Sequence, residues 1–156
     1  MKTTRFFLLF VLLQSMALYN VCEAGEIIPV NAKVPIPNDI SIISPDKTLP
    51  KELAAFSGSW EGVWSDYATA TVLIVEEINT ESAKVIYCLG ESMGLYSMPP
   101  SCERYPAKVL LDNLQIAFQV GETLHYTFSM EKNFNQIKAT KKSPLDVIEI
   151  LMDKIQ

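Results

Sequence analysis

Between Leu114 and Glu131 the chain alternates apolar and polar residues with a period of two, twice over. Leu114, Ile116, Phe118 and Val120 interleave with Gln115, Ala117 and Gln119; then Leu124, Tyr126, Phe128 and Met130 interleave with Thr123, His125, Thr127, Ser129 and Glu131. Successive strand side chains point to opposite faces, whereas a helix returns to one face about every 3.6 residues, so this spacing describes two half-buried strands. Turn-forming residues bracket them: Asp112-Asn113 before, Gly121-Glu122 between, Lys132-Asn133 after.

Reading outward from this pair, the pattern predicts strands over 58–65, 69–78, 83–89, 106–111, 114–120, 123–131 and 134–141. Most connections are too short for a crossover helix, so consecutive strands pair antiparallel as a meander. Segment 144–155 carries two signals. Ser143, Pro144 and Asp146 form a helix start, while Ile148, Ile150 and Met152 alternate with Val147, Glu149, Leu151 and Asp153. A strand is the reading adopted, because an eighth strand lets the sheet close and removes its exposed edges. The expected fold is all-β: an antiparallel up-and-down barrel of about eight strands.

The start of the chain follows a different logic. Lys2 and Arg5 precede the apolar run Phe6 to Leu13, and Cys22 and Ala24 supply short residues before a cut, the order of a cleavable secretory signal over 1–24. Gln14 and Ser15 interrupt the run before it reaches the roughly 20 residues of a membrane span. The product is expected to be exported, periplasmic or secreted, with no membrane span after cleavage. Lipoprotein anchoring at Cys22 is the lesser alternative, since the box Tyr19-Asn20-Val21 lacks a small residue before the cysteine. Segment 25–50 holds five of the nine prolines at no fixed period and reads as an extended arm, folded over the domain or hanging free. The barrel domain then spans 51–156, opening with a short helical turn at 51–56.

Loss of Lys2, Arg5 and Glu23 leaves 11 basic and 17 acidic residues, a net charge of −6. Such a surface lacks the clustered Lys and Arg that nucleic-acid backbone or anionic lipid requires. Cleavage also removes Cys22, leaving Cys88 and Cys102 as the one possible disulfide in an oxidising compartment, the alternative being two buried thiols.

Gly58-Ser59-Trp60 resembles the Gly-x-Trp opening of lipocalin-like and avidin-like barrels, and the meander after it is of similar length. In those barrels the tryptophan closes one end beneath an arginine from near the last strand; here the domain's one arginine, Arg104, is mid-chain, and the last segment offers Lys154. The longer pattern Phe56 to Trp64, followed by Val85-Ile86-Tyr87 and Gly90, resembles small exported bacterial domains with no assigned activity. Both resemblances imply a fold more than a function.

The chemistry on offer is sparse. One histidine, His125, falls on a polar face, and the cysteines are better spent on each other, so neither a metal site nor a cofactor is expected. No Gly-x-Ser-x-Gly elbow, phosphate loop or His-Glu-x-x-His pair occurs. Glu61, Asp66, Glu76, Glu77, Glu91 and Glu103 could supply an acid/base pair only if the fold brings two together. Catalysis is therefore the minor reading.

Binding has more behind it. Trp60 and Trp64 share a face of the first strand, and Tyr87, Phe118 and Tyr126 are predicted to face the same interior. An eight-stranded barrel is either filled by side chains or holds one small ligand. Loop 90–105, with Tyr96 and with Arg104 at its rim, reads as a lid or a partner contact. The expected site for a small apolar or amphipathic ligand is thus Trp60, Trp64, Tyr87, Tyr96, Arg104, Phe118 and Tyr126. The alternative is a solid-cored interaction module that meets an envelope or extracellular protein through loop 90–105.

Overall fold

The computed structural model describes residues 34–92 and 98–155. The leader, the start of the arm and Tyr96 lie outside these described residues. Eight strands follow one another: β1 (Gly58–Trp64), β2 (Thr69–Ile78), β3 (Ser82–Leu89), β4 (Ser101–Leu110), β5 (Gln115–Val120), β6 (Leu124–Met130), β7 (Gln136–Lys142) and β8 (Val147–Ile155). Each pairs antiparallel with the next, and β8 returns to β1 through Ser59↔Ile155, Trp60↔Lys154 and Glu61↔Asp153. The sheet is a closed up-and-down barrel. Its alternation is that of the sequence: Ile116, Phe118, Tyr126 and Phe128 are buried, while Gln119 and His125 face water.

On β2 and β3 the alternation gives way to unbroken burial, Val72 to Val75 and Val85 to Cys88. A strand reads this way when both its faces are covered. Leu73, Val75, Val85 and Tyr87 point into the barrel, whereas Val72, Ile74, Ile86 and Cys88 form a second cluster outside it, capped by Val34 and Ile40 of the arm. From residue 34 onward the arm therefore folds over the domain. Arg104 sits on this outer wall, pairing with Asp39 at 3.0 Å and Glu76 at 3.4 Å, and Glu76 accepts the Ser41 and Ile43 amides at 3.1 and 2.8 Å. Burying each large aliphatic side chain stabilises by about 1.5–3 kcal/mol, whereas an exposed ion pair, screened by solvent, contributes little. Apolar contact holds the arm, and Arg104 sets its register.

Several strand boundaries differ from expectation, most by one or two residues. β4 starts at Ser101, so the connection before it shortens to 90–100 and Cys102 lies in the ladder directly opposite Cys88, to which it is disulfide-bonded. The strand runs through Pro106 because the ladder to β5 is confined to Lys108↔Ala117, Val109↔Ile116 and Leu110↔Gln115. At Pro106 no β5 partner awaits the missing N–H. β5 and β7 start later than expected because Leu114 and Phe134 take left-handed turn conformations, φ 51° and 57°. The strand reading of the last segment holds. Ser143 and Asp146 close a turn instead of capping a helix: the Ser143 hydroxyl oxygen accepts the Leu145 and Asp146 amides at 3.2 and 3.1 Å.

One end of the barrel is sealed. The helical turn α1 (Lys51–Ala54) drops Leu53, and just after it Phe56, into the core, and Trp60 donates its indole N–H to the Phe56 carbonyl at 2.8 Å. Lys154 lies 4.9 Å over the Trp60 ring and donates to the Ala55 carbonyl at 3.0 Å. Gly62, between the two tryptophans, lets β8 close in: a Cβ there would sit 2.9 Å from Met152 Cγ and 3.2 Å from the Leu151 carbonyl oxygen. Gly62→Ala is accordingly expected to cost about 1–3 kcal/mol by overpacking the seam. The check is a lowered urea midpoint at unchanged m-value; an unchanged midpoint would show that the seam has slack.

Candidate functional site

Turns 65–68, 121–123 and 143–146 gather at the opposite end, where β3 ends and β4 begins. Inside it lies a cavity of about 460 Å³, within the size range of small-molecule sites. Its floor is aromatic. Trp64 donates its indole N–H to the Tyr87 hydroxyl at 2.7 Å, and Tyr126 packs on both, with ring centroids 5.9 Å from Trp64 and 4.8 Å from Tyr87. Burial, reinforced by the nearby Tyr126 charge, pushes the Tyr87 phenol well above its ordinary range. Burial also pushes Tyr126 up to about 12, opposed by a hydrogen bond from Tyr87 and assisted by the Asp66 carboxylate. Both hydroxyls are thus neutral hydrogen-bonding groups at physiological pH.

The walls are of two kinds. On β3, β5 and β6 they are apolar, with Leu89, Val120 and Leu124, joined by Met98 just before β4. From β7 round to β2 they are polar, with Lys141, Ser143, Asp66 and Thr69. Lys141 reaches across to ion-pair with Asp66, both side chains more than four-fifths buried, and its ammonium stands 5.0 Å from the Trp64 ring. The second Asp66 oxygen, Oδ1, is buried without a hydrogen-bond partner. On β4, beyond the end of the β5 ladder, Ser101, Glu103 and Tyr105 also line the space. Tyr105 donates to Glu103 at 2.7 Å and stacks on Phe118 at 5.0 Å, spanning the splayed seam. Burial first, then the Glu103 hydrogen bond, raises the Tyr105 phenol well above its ordinary value.

Of the residues singled out from sequence, Trp64, Tyr87 and Tyr126 line the cavity. Phe118 lies beneath its surface, stacked on Tyr126 at 5.2 Å. Trp60 belongs to the sealed end, and Arg104 to the outer wall under the arm rather than the rim. Sequence reading missed Tyr105 because the strand was started at Pro106, five residues too late. It did not single out Lys141, although strict alternation from Ile137 and Ala139 already points Lys141 inward. Of the six carboxylates considered for acid/base work, Asp66 and Glu103 line the cavity, each with one oxygen engaged, by Lys141 and Tyr105 respectively. Among the described residues no three His, Cys, Asp or Glu side chains are grouped to hold a metal ion. No protein-family model, curated protein or solved structure matches this chain.

Proposed function

We propose that the chain is an exported, non-catalytic barrel that binds one small apolar or amphipathic molecule in the cavity opposite its sealed end. The observation that carries this reading is the cavity itself, apolar on one wall and floored by Trp64, Tyr87 and Tyr126. A solid-cored interaction module would fill this space with side chains, so the cavity favours ligand binding over that alternative. The lipocalin-like reading gains support from Lys154, which stands over Trp60 where the pattern has an arginine. The placement of Trp64 supplies a direct test. Titration with a neutral lipophilic dye is expected to change tryptophan emission saturably, at one dye per chain, and Leu124→Trp, which narrows the mouth, to weaken the binding at least tenfold. Emission that stays constant across the titration would sink the reading.

A further inference from the structure

β2 and β3 carry unbroken apolar runs because the arm covers their outer faces. β8 bears the same mark: Ile148, Ile150 and Met152 pack into the core, while Val147 and Leu151 between them turn outward. Yet among the described residues nothing covers that outer face, for Val147 is 60% exposed and Leu151 54%. Continuing the β1–β8 register sets Val63, itself exposed, beside Leu151. Apolar side chains gathered on one wall mark a contact surface. The charges around this strip are divided by side. On the β7 flank Lys142 lies opposite Val147 and Lys138 opposite Leu151. Toward β1, Asp153 lies directly opposite Glu61, and among the described residues neither is ion-paired. Like charges facing each other across a ladder repel, so this flank lacks a cation. Lys138 meets Glu149 at 3.4 Å, an exposed contact that engages one of its three N–H donors.

We infer that this face is the contact between two copies of the chain, related by a two-fold axis running along β8. Such an axis packs Val63, Val147 and Leu151 of one copy on the same strip of the other, as in aligned sheet-on-sheet packing. It also reverses the two flanks across the interface, so that Lys138 of each copy meets Asp153 and Glu61 of its partner. An axis running across the strands would instead set lysine on lysine. A face that carries both the cations and the anions it needs is complementary to itself, which is the ground for a second copy over an unlike partner. Both cavities of such a pair point to the same side. The inference stands apart from the reading of the cavity as a ligand site.

Sedimentation equilibrium of the purified protein is expected to show dimers with a dissociation constant in the micromolar range or tighter. Leu151→Glu, at an exposed position, should weaken them about tenfold or more with little change in the urea midpoint. Lys138→Glu and Asp153→Lys should each weaken them about tenfold, by setting like charges across the interface. The double variant, with the charges exchanged, should return to within about threefold of the wild type. A general loss of folding could not produce that recovery. Protein that stays monomeric at every concentration overturns the inference, and so do dimers indifferent to Leu151→Glu, which would lie on another face. A double variant as weak as either single one overturns the two-fold along β8.

Discussion

Trp60→Ala is expected to remove about 3–5 kcal/mol of stability, the range for deleting a large buried aromatic, and so a large part of the 5–15 kcal/mol that holds a typical domain folded. The indole is fully buried, supplies the donor for the Phe56 carbonyl and carries Lys154 on its face. Removing it leaves a cavity at the sealed end, an unpaired carbonyl and an ammonium without its ring. Trp60→Phe keeps a ring but loses the donor, and should cost about 1–3 kcal/mol. Urea unfolding distinguishes the cases: the alanine variant is expected to be largely unfolded at urea concentrations where the phenylalanine variant is still native. If Trp60→Ala unfolds at the wild-type midpoint, the helical turn and Phe56 seal the barrel without it.

Raising the pH should loosen the barrel from the other end. Burial raises Tyr126 to about 12 from an ordinary value of 10.0, and raises Tyr87 in the same direction. Between those values the folded chain keeps a proton that the unfolded chain has lost. The resulting stability is fully present below pH 10 and disappears as the pH climbs through about 12. For Tyr126 alone the two-unit difference corresponds to about 2–3 kcal/mol, and Tyr87 adds to it with the same sign. Melting temperature against pH is expected to hold level to about pH 10 and then fall, with phenolate absorbance appearing together with unfolding. Tyr126→Phe should flatten part of that fall. A wild-type melting temperature level up to about pH 12 would mean that the phenolates are accommodated by solvent at the mouth.

Sequence alone made the strands and their order legible because alternation records directly which side of a sheet is wet. It did so even where signals competed: Ile148, Ile150 and Met152 prevailed over Ser143-Pro144, since a turn uses the same hydroxyl-to-amide bonds as a helix start. Trp64, Tyr87 and Tyr126 could be placed in the interior by parity, but nothing local distinguishes a ring that floors a cavity from one that fills a core. Trp60, on the same face as Trp64, ended in the opposite half of the barrel because four residues of strand span roughly 13 Å. Arg104 was misplaced for a different reason. Its partners are Asp39 and Glu76, far away in sequence, and an arm at no fixed period leaves no trace of which wall it covers.

The closing seam has a consequence for the order of assembly. Seven of the eight ladders join neighbours in sequence and can form as local hairpins, in microseconds for an isolated one. The eighth must bring Trp60 to Lys154, across nearly the whole domain. Loop-closure entropy grows only slowly with length, yet until that contact forms β1 and β8 both present open edges and Trp60 lacks its lid. The last strand works as a latch on a sheet already rolled. A chain emerging from its amino end is therefore held uncommitted until residues 147–155 arrive, and shortening them should yield a sticky, open-edged sheet in place of a slightly weaker barrel.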